Sequence, residues 1–199
     1  MKEDFSNHGN LRSEILSYTK FGNDTDADTY AVMAGEAFLD AVDSLELNDN
    51  FYAVGSFYSL ERDNTSRHDL GATPDGRKSG TPFSENQSPT YGADKSGITA
   101  LLKSVSKLPF DRTAGGGLNL TFSQKVSSDI LKALVLSYFN MGGLHVGISV
   151  INRRDLQDAM INPDKYKSLT VRLYGFSEYF VSLPEWQQIA VLNRTEYKQ

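Results

Sequence analysis

The chain has 199 residues, 39% of them hydrophobic and 11% aromatic, and a formal net charge of −5. That length and apolar content suit one ordinary domain with a sizeable core and exclude a disordered or collagen-like class, while the acidic balance argues against nucleic acid or an anionic membrane as the main partner. With no cysteine in the sequence, disulfides, thiolate-bound zinc, iron–sulfur clusters and thiol chemistry are excluded from this polypeptide, and His8, His68 and His145 lack metal-ligand spacing.

Residues 1–23 are polar and weakly patterned. They lack the apolar centre of a signal peptide, and no apolar run reaches membrane-spanning length, so a soluble, cytoplasmic protein is expected. From Thr25 to Leu45, Tyr30, Met33, Ala34, Ala37, Phe38, Ala41 and Val42 recur at helical spacing. Asp24 or Thr25 would cap that helix, and Asp26 and Asp28 would suit its positive end. "FYAVGSFYS" (51–59) reads as a strand interrupted by glycine.

Residues 61–97 show neither period and hold five glycines and three prolines, which makes them a long loop, either functional or disordered. Phe83, Tyr91 and the Pro74-Asp75-Gly76 turn favour order. Asp75 and Arg77 are expected to fix this loop through a turn and an ion pair. "ITALLKSVSKL" (98–108) reads as a helix capped by Thr99, "GLNLTFS" (117–123) as a strand, and 124–141 as a helix stopped by Gly142-Gly143. "LHVGISVI" (144–151), "RRDLQDAMI" (153–161, capped by Asn152) and "SLTVRLY" (168–174) suggest parallel strands with a helical crossover. A last helix starts near Pro184.

"SLTVRLYGFSEYFVSL" (168–183) reads as one long strand that gives its centre to Gly175. On the residues alone, that glycine marks a bulge or a bend between two strands. "GATPDGRKSG" has the wrong spacing for a P-loop, and no G-x-S-x-G elbow or suitably placed His supports Ser-His-Asp chemistry.

Arg172-Leu173-Tyr174-Gly175-Phe176-Ser177 resembles the signature of glycyl radical enzymes of the pyruvate formate-lyase type. "KFGND" (20–24), "GATPDGRKSG" (71–80), "SPTYGADKSGITALLKSVSKLPFDRT" (88–113), "GGLNLTFS" (116–123), "LHVGISVINRRDLQDAMINPDKY" (144–166) and "LNRTEY" (192–197) resemble successive parts of the same family. Leu173 replaces the commoner valine.

The resemblance implies an α/β fold, the C-terminal part of a ten-stranded α/β barrel with the glycine radical loop. Residues 1–70 would be a fragment of the barrel and 71–199 the glycine radical domain. It implies that Gly175 carries the radical, with Arg172, Tyr174, Phe176 and Ser177 supporting its loop. No cofactor would be bound; the radical would be installed by an S-adenosylmethionine-dependent iron–sulfur activase. Only glycine offers an α-carbon with two hydrogens and no substituent to crowd a planar, delocalised radical. If the strand continued through it, Gly175 would face the same interior as Leu169, Val171 and Leu173.

The family also needs a cysteine that becomes a thiyl radical, and this chain has none. The expected role is therefore the radical-bearing subunit of a split, heteromeric enzyme, with a large partner chain supplying the Cys loop. Its own initiator Met and its reach upstream of the radical loop favour that reading. The alternatives are a spare part that restores an oxygen-cleaved full-length enzyme, or a non-catalytic truncated relative. The reaction, of lyase or acyltransferase class on a small molecule, cannot be read from these residues. A piece of the barrel alone would expose apolar helix faces and strand edges.

Asn119 and His145 are candidate cavity-facing residues, with packing and a satisfied structural histidine as the simpler readings. Arg172 either orients the loop or meets the activase, or else pairs with a carboxylate as an outward strand residue. Trp186 and Tyr179 are expected in the core.

Overall fold

The computed structural model describes residues 4–48, 50–58, 70–173, 176–194 and 196–197. Its elements in chain order are α1 (Gly9–Ser17), α2 (Ala27–Asp43), α3 (Ile98–Ser106), β1 (Leu118–Phe122), α4 (Ser128–Asn140), β2 (Val146–Val150), α5 (Arg153–Ile161), β3 (Thr170–Leu173), β4 (Phe176–Tyr179), α6 (Glu185–Leu192) and β5 (Glu196–Tyr197). The fold is α/β, as expected.

β1 lies between β2 and β5, and both pairings are parallel, with Leu118 opposite Val146 and Thr121 opposite Glu196. Leu118, Leu120 and Phe122 share one face of this central strand and enter the core, while Thr121 on the opposite face is buried as well. The expected parallel crossover exists, but one unit earlier than read: α4 connects β1 to β2. β3 does not join that sheet. It pairs antiparallel with β4, Arg172 opposite Ser177 and Leu173 opposite Phe176.

Of the two readings of 168–183, one continuous strand is thus corrected, and two strands with a bend between them agree with the hairpin. The chain reverses between Leu173 and Phe176, so the strand register that would align residue 175 with Leu169 and Val171 does not continue. Tyr174 and Gly175 lie outside the described residues. The strand expected over 51–59 is also corrected. Among its described residues only Phe57 forms a bridge, to Gly116, because Ala114 N–H donates to Gly55 and Phe57 N–H to Gly115 without further pairing.

Two hydrophobic clusters divide the interior. The larger joins Leu101, Leu102 and Val105 of α3 to β1, Phe110, Tyr138 and Tyr197. The smaller lies under the hairpin: Leu156 and Ala159 of α5, Val171 and Leu173 of β3, Phe180, Leu183 and Val191. Phe180 is fully buried there, a contribution of about 2–3 kcal/mol on general grounds.

Helix ends follow local chemistry in part. Ser127 Oγ accepts from Ile130 N–H at α4, Asn152 Oδ1 accepts from Arg154 N–H at α5, and Gly142 ends α4 at φ +95°. At α3 the cap residue is Gly97, not Thr99, and at α2 it is Asp26, whose side chain makes no capping bond. Asp24 (φ +54°) instead sits in a turn before α2. Asp28 is buried and bonded to Ser104, Lys107 and Gly22 rather than serving a solvated helix end. α1 went unread because its pattern is weak; Arg12 Nε donates to Gly76 O at 2.9 Å and ties it to the loop.

From residue 70 onward the long loop is ordered by side chains. Arg77 donates to the carbonyls of Lys78, Thr81 and Gly71 and stacks over Phe83 at 4.0 Å. Asp75 accepts instead from Thr73 and Thr90, so the expected Asp75–Arg77 ion pair is replaced by a carbonyl clamp. Burial acts to raise the Asp75 pKa, and the bonds from Thr73, the Arg77 main chain and Thr90 outweigh it, leaving the carboxyl below its ordinary value. Asn23 crosslinks the turn before α2 to this loop, donating to Ala93 O at 2.7 Å and accepting from Lys95 and Ser96 N–H.

Apolar side chains of α2 and α4 remain uncovered: Tyr30 is 76% exposed and Met33 61%, and Phe38, Leu136 and Phe139 are exposed as well. Among the described residues no helix is long and apolar enough to cross a membrane.

Candidate functional site

The hairpin β3–β4 is seated by alternation. Val171 and Leu173 point into the smaller core, which leaves Thr170 and Arg172 on the other face. On β4, Phe176 and Ser177 are exposed, as is Tyr179, which is therefore not the core residue expected; Trp186 is half-buried.

Arg172 faces the gap between the hairpin and the main sheet. Two adjoining clefts meet there. One, of about 490 Å³, runs between β2 and β3 past Ser149, Thr170 and Ser177. The other, of about 350 Å³, opens beside Asn86, Gly116 and Asn119. His145 and Arg172 line both.

The structure therefore brings together Arg172, Ser177, Asn119 and His145, four of the residues picked from sequence. His145 immediately precedes β2, is exposed, and its carbonyl accepts from Leu118 N–H at 3.2 Å. Among the described residues the Arg172 guanidinium meets no carboxylate, so the outward ion pair considered for it is absent there. Gly147 makes this convergence possible: a Cβ there would stand 2.8 Å from Asn119 Oδ1 and 3.7 Å from Arg172 Cγ.

Behind the clefts lies a buried polar series that sequence reading missed. Asn119 Nδ2 donates to Glu85 Oε2 at 3.2 Å, and Arg194 Nη2 donates to Glu85 Oε1 at 2.7 Å. Arg194 Nη1 reaches the carbonyl of Arg172 at 2.7 Å. Beside it, the Tyr197 hydroxyl bonds Asp94; burial, and then the facing carboxylate, push that phenol well above its ordinary pKa. Glu85 and Arg194 are 109 residues apart in sequence, and no local pattern signals such a pair.

Among the described residues no group of three or more His, Asp or Glu could hold a metal ion. The arrangement places hydrogen-bonding side chains, His145, Asn119, Arg172 and Ser177 among them, around the hairpin.

The profile of the family described as "Glycine radical" matches residues 83–181, which take in β1, β2 and the whole hairpin. Formate acetyltransferase 1 of Escherichia coli K12 is 36% identical over 193 residues, 89% of this chain and 25% of that protein. The glycerol-bound, B12-independent glycerol dehydratase of Clostridium butyricum superposes with a TM-score of 0.93 at 34% identity, covering 100% of this chain and 26% of that one. A glycyl radical enzyme from Archaeoglobus fulgidus gives a TM-score of 0.84 at 31% identity over 97% of this chain and 26% of that one. The chain spans about a quarter of the length of the relatives it matches.

Proposed function

Because the chain belongs to the glycyl radical enzyme family, as the C-terminal portion with its glycine radical domain, we propose that it stores a radical on Gly175 for a cysteine on a partner chain. Residues 71–199 form the radical domain in this reading, which the match over 83–181 supports, and 1–70 belong to the barrel. A hydrogen atom leaves the α-carbon of Gly175 for the adenosyl radical that a radical S-adenosylmethionine activase generates. The glycyl radical then takes the hydrogen of a partner's cysteine thiol, leaving a thiyl radical that abstracts hydrogen from a small-molecule substrate. Tyr174, Phe176 and Ser177 flank the glycine, and Arg172 pairs with Ser177 next to the Leu173–Phe176 pair that closes its hairpin.

The observation that carries this reading is a glycine radical domain in a chain with no cysteine. Such a chain can hold a radical but cannot supply the thiol. The exposed apolar faces of α2 and α4 support a large Cys-bearing partner; radical chemistry would make that complex oxygen-sensitive, and we place it in the cytoplasm. Radical transfer between chains is a positioning task, in which small displacements lower the rate steeply.

Anaerobic electron paramagnetic resonance after activation tests the proposal. A doublet should form in the wild type and be lost in Gly175→Ala, and air should then cut the wild-type backbone at Gly175. A doublet that survives the substitution refutes the site. A signal that needs the Cys-bearing partner supports the split subunit, whereas restoration of an oxygen-cleaved full-length enzyme would assign the chain as its spare part.

A further inference from the structure

Arg194 falls in the "LNRTEY" run, yet the sequence gives it no task. In the structure it is buried with Glu85, their side chains 8% and 4% exposed. A buried ion pair seldom adds net stability over an apolar pair, so its use has to be sought in its geometry.

That geometry is specific. Nε and Nη2 of Arg194 donate to Glu85 Oε1 at 3.2 and 2.7 Å, and Nη1 donates to the Arg172 carbonyl at 2.7 Å. Glu85 spends its other oxygen on Asn119 of β1. A series of bonds thus runs from Asn119 of the central strand through Glu85 of the loop to Arg194, and from Arg194 to one main-chain carbonyl of β3. In a hairpin closed by the Leu173–Phe176 pair, the next pair, Arg172–Ser177, is of the kind that turns its N–H and C=O outward. The carbonyl that Arg194 holds is the outward one.

We propose that Arg194 is a positioning residue: a planar clamp, aimed by Glu85 and referenced to β1 through Asn119, that sets the angle at which the β3–β4 hairpin stands on the main sheet. Arginine suits this because its rigid fork bonds two acceptors in one plane; an ammonium is a point donor without that directionality. The proposal deepens the radical-carrier reading and rests on it for its purpose, since the clamp grips the strand that leads to Gly175. Its geometry stands independently.

Amide hydrogen exchange of the full chain tests it, with residues 170–173 and 176–179 as probe and 118–122 and 128–140 as reference. The variants are Arg194→Lys, Arg194→Met and the double variant Glu85→Leu/Arg194→Met. The double variant removes both charges together, so no lone buried charge opposes folding. Hairpin exchange should quicken about tenfold in Arg194→Met and in the double variant, and less in Arg194→Lys, with the reference segments unchanged. In activated samples the doublet per chain should fall alongside. Wild-type protection of the hairpin in the double variant overturns the clamp. So does equal loss in the reference segments, or a double variant that fails to fold, since the pair would then carry stability rather than orientation. A wild type that yields no doublet refutes the radical-carrier reading, while the exchange result still decides the clamp.

Discussion

Replacing Asp28 with alanine would strip the joint between α2 and α3 of its acceptor. The carboxylate is 1% exposed and accepts from Gly22 N–H at 3.2 Å, Ser104 Oγ at 2.8 Å and Lys107 Nζ at 2.8 Å. Ser104, fully buried, also accepts from Asp24 N–H at 2.7 Å. Without Asp28, the Gly22 amide and the Ser104 hydroxyl lose their acceptor, at about 1–3 kcal/mol for each stranded buried donor. Lys107 is 41% exposed and keeps Asp24 at 2.7 Å, so its share is about 0–1 kcal/mol. The expected loss is about 3 kcal/mol, read from urea unfolding followed through Trp186. Ser104→Ala alone should cost about 1–2 kcal/mol, because Asp28 keeps two donors. The double variant should cost about 1 kcal/mol less than the sum, since no hydroxyl remains to be stranded. A loss below about 1 kcal/mol in Asp28→Ala, or strict additivity, would refute the view that this carboxylate is the joint's shared acceptor.

Two further tests probe packing and charge. Gly143→Ala puts a methyl 2.4–2.5 Å from three ring atoms of Tyr138, itself 1% exposed, and should cost about 2–3 kcal/mol. Gly142→Ala meets open space but must hold φ +95°, for about 1–2 kcal/mol. Thermal melts that rank the two in reverse would show that the ring yields more readily than its burial implies. Hydrogen bonds from Lys165, then Tyr166 and Asn162, hold the Asp158 carboxyl far below its ordinary value of 3.8. A depressed folded pKa gives stability that is present above the unfolded value and lost as pH falls toward the folded one. Urea midpoints of the wild type should therefore decline below about pH 4 and converge with those of Asp158→Asn. Parallel curves would refute the assignment.

What could be read in advance were features carried by neighbours in sequence. α5 with its Asn152 cap and α4 with its Gly142 stop depend on periodicity and on residues within one turn of each end. The choice between one strand and two stayed open in the sequence because Val171 and Leu173 before residue 175 and Phe180 after it suit either. Only the pairing of Leu173 with Phe176 separates these cases. Thr99 looked like a cap because it is a good capping type, but the turn at Gly97 (φ +85°) starts the helix two residues earlier. At the candidate site, Asn119 and Arg172 were picked and do converge. Glu85 and Arg194 were missed, because a long-range pair has no period and each partner alone looks like a solvated charge.

The distance between those two partners along the chain constrains how this protein can be recombined with its relatives. A chimaera whose crossover falls between residues 85 and 194 inherits one half of the Glu85–Arg194 pair from each parent. Unless the second parent supplies a matching partner, the graft buries a lone charge, at about 3–5 kcal/mol. Exchange of the hairpin alone, residues 170–179, leaves both partners in place; it asks for a main-chain carbonyl at position 172, which any residue provides, and for apolar side chains at 171 and 173 that fill the smaller core. The hairpin can therefore be swapped as a cassette without splitting the buried pair.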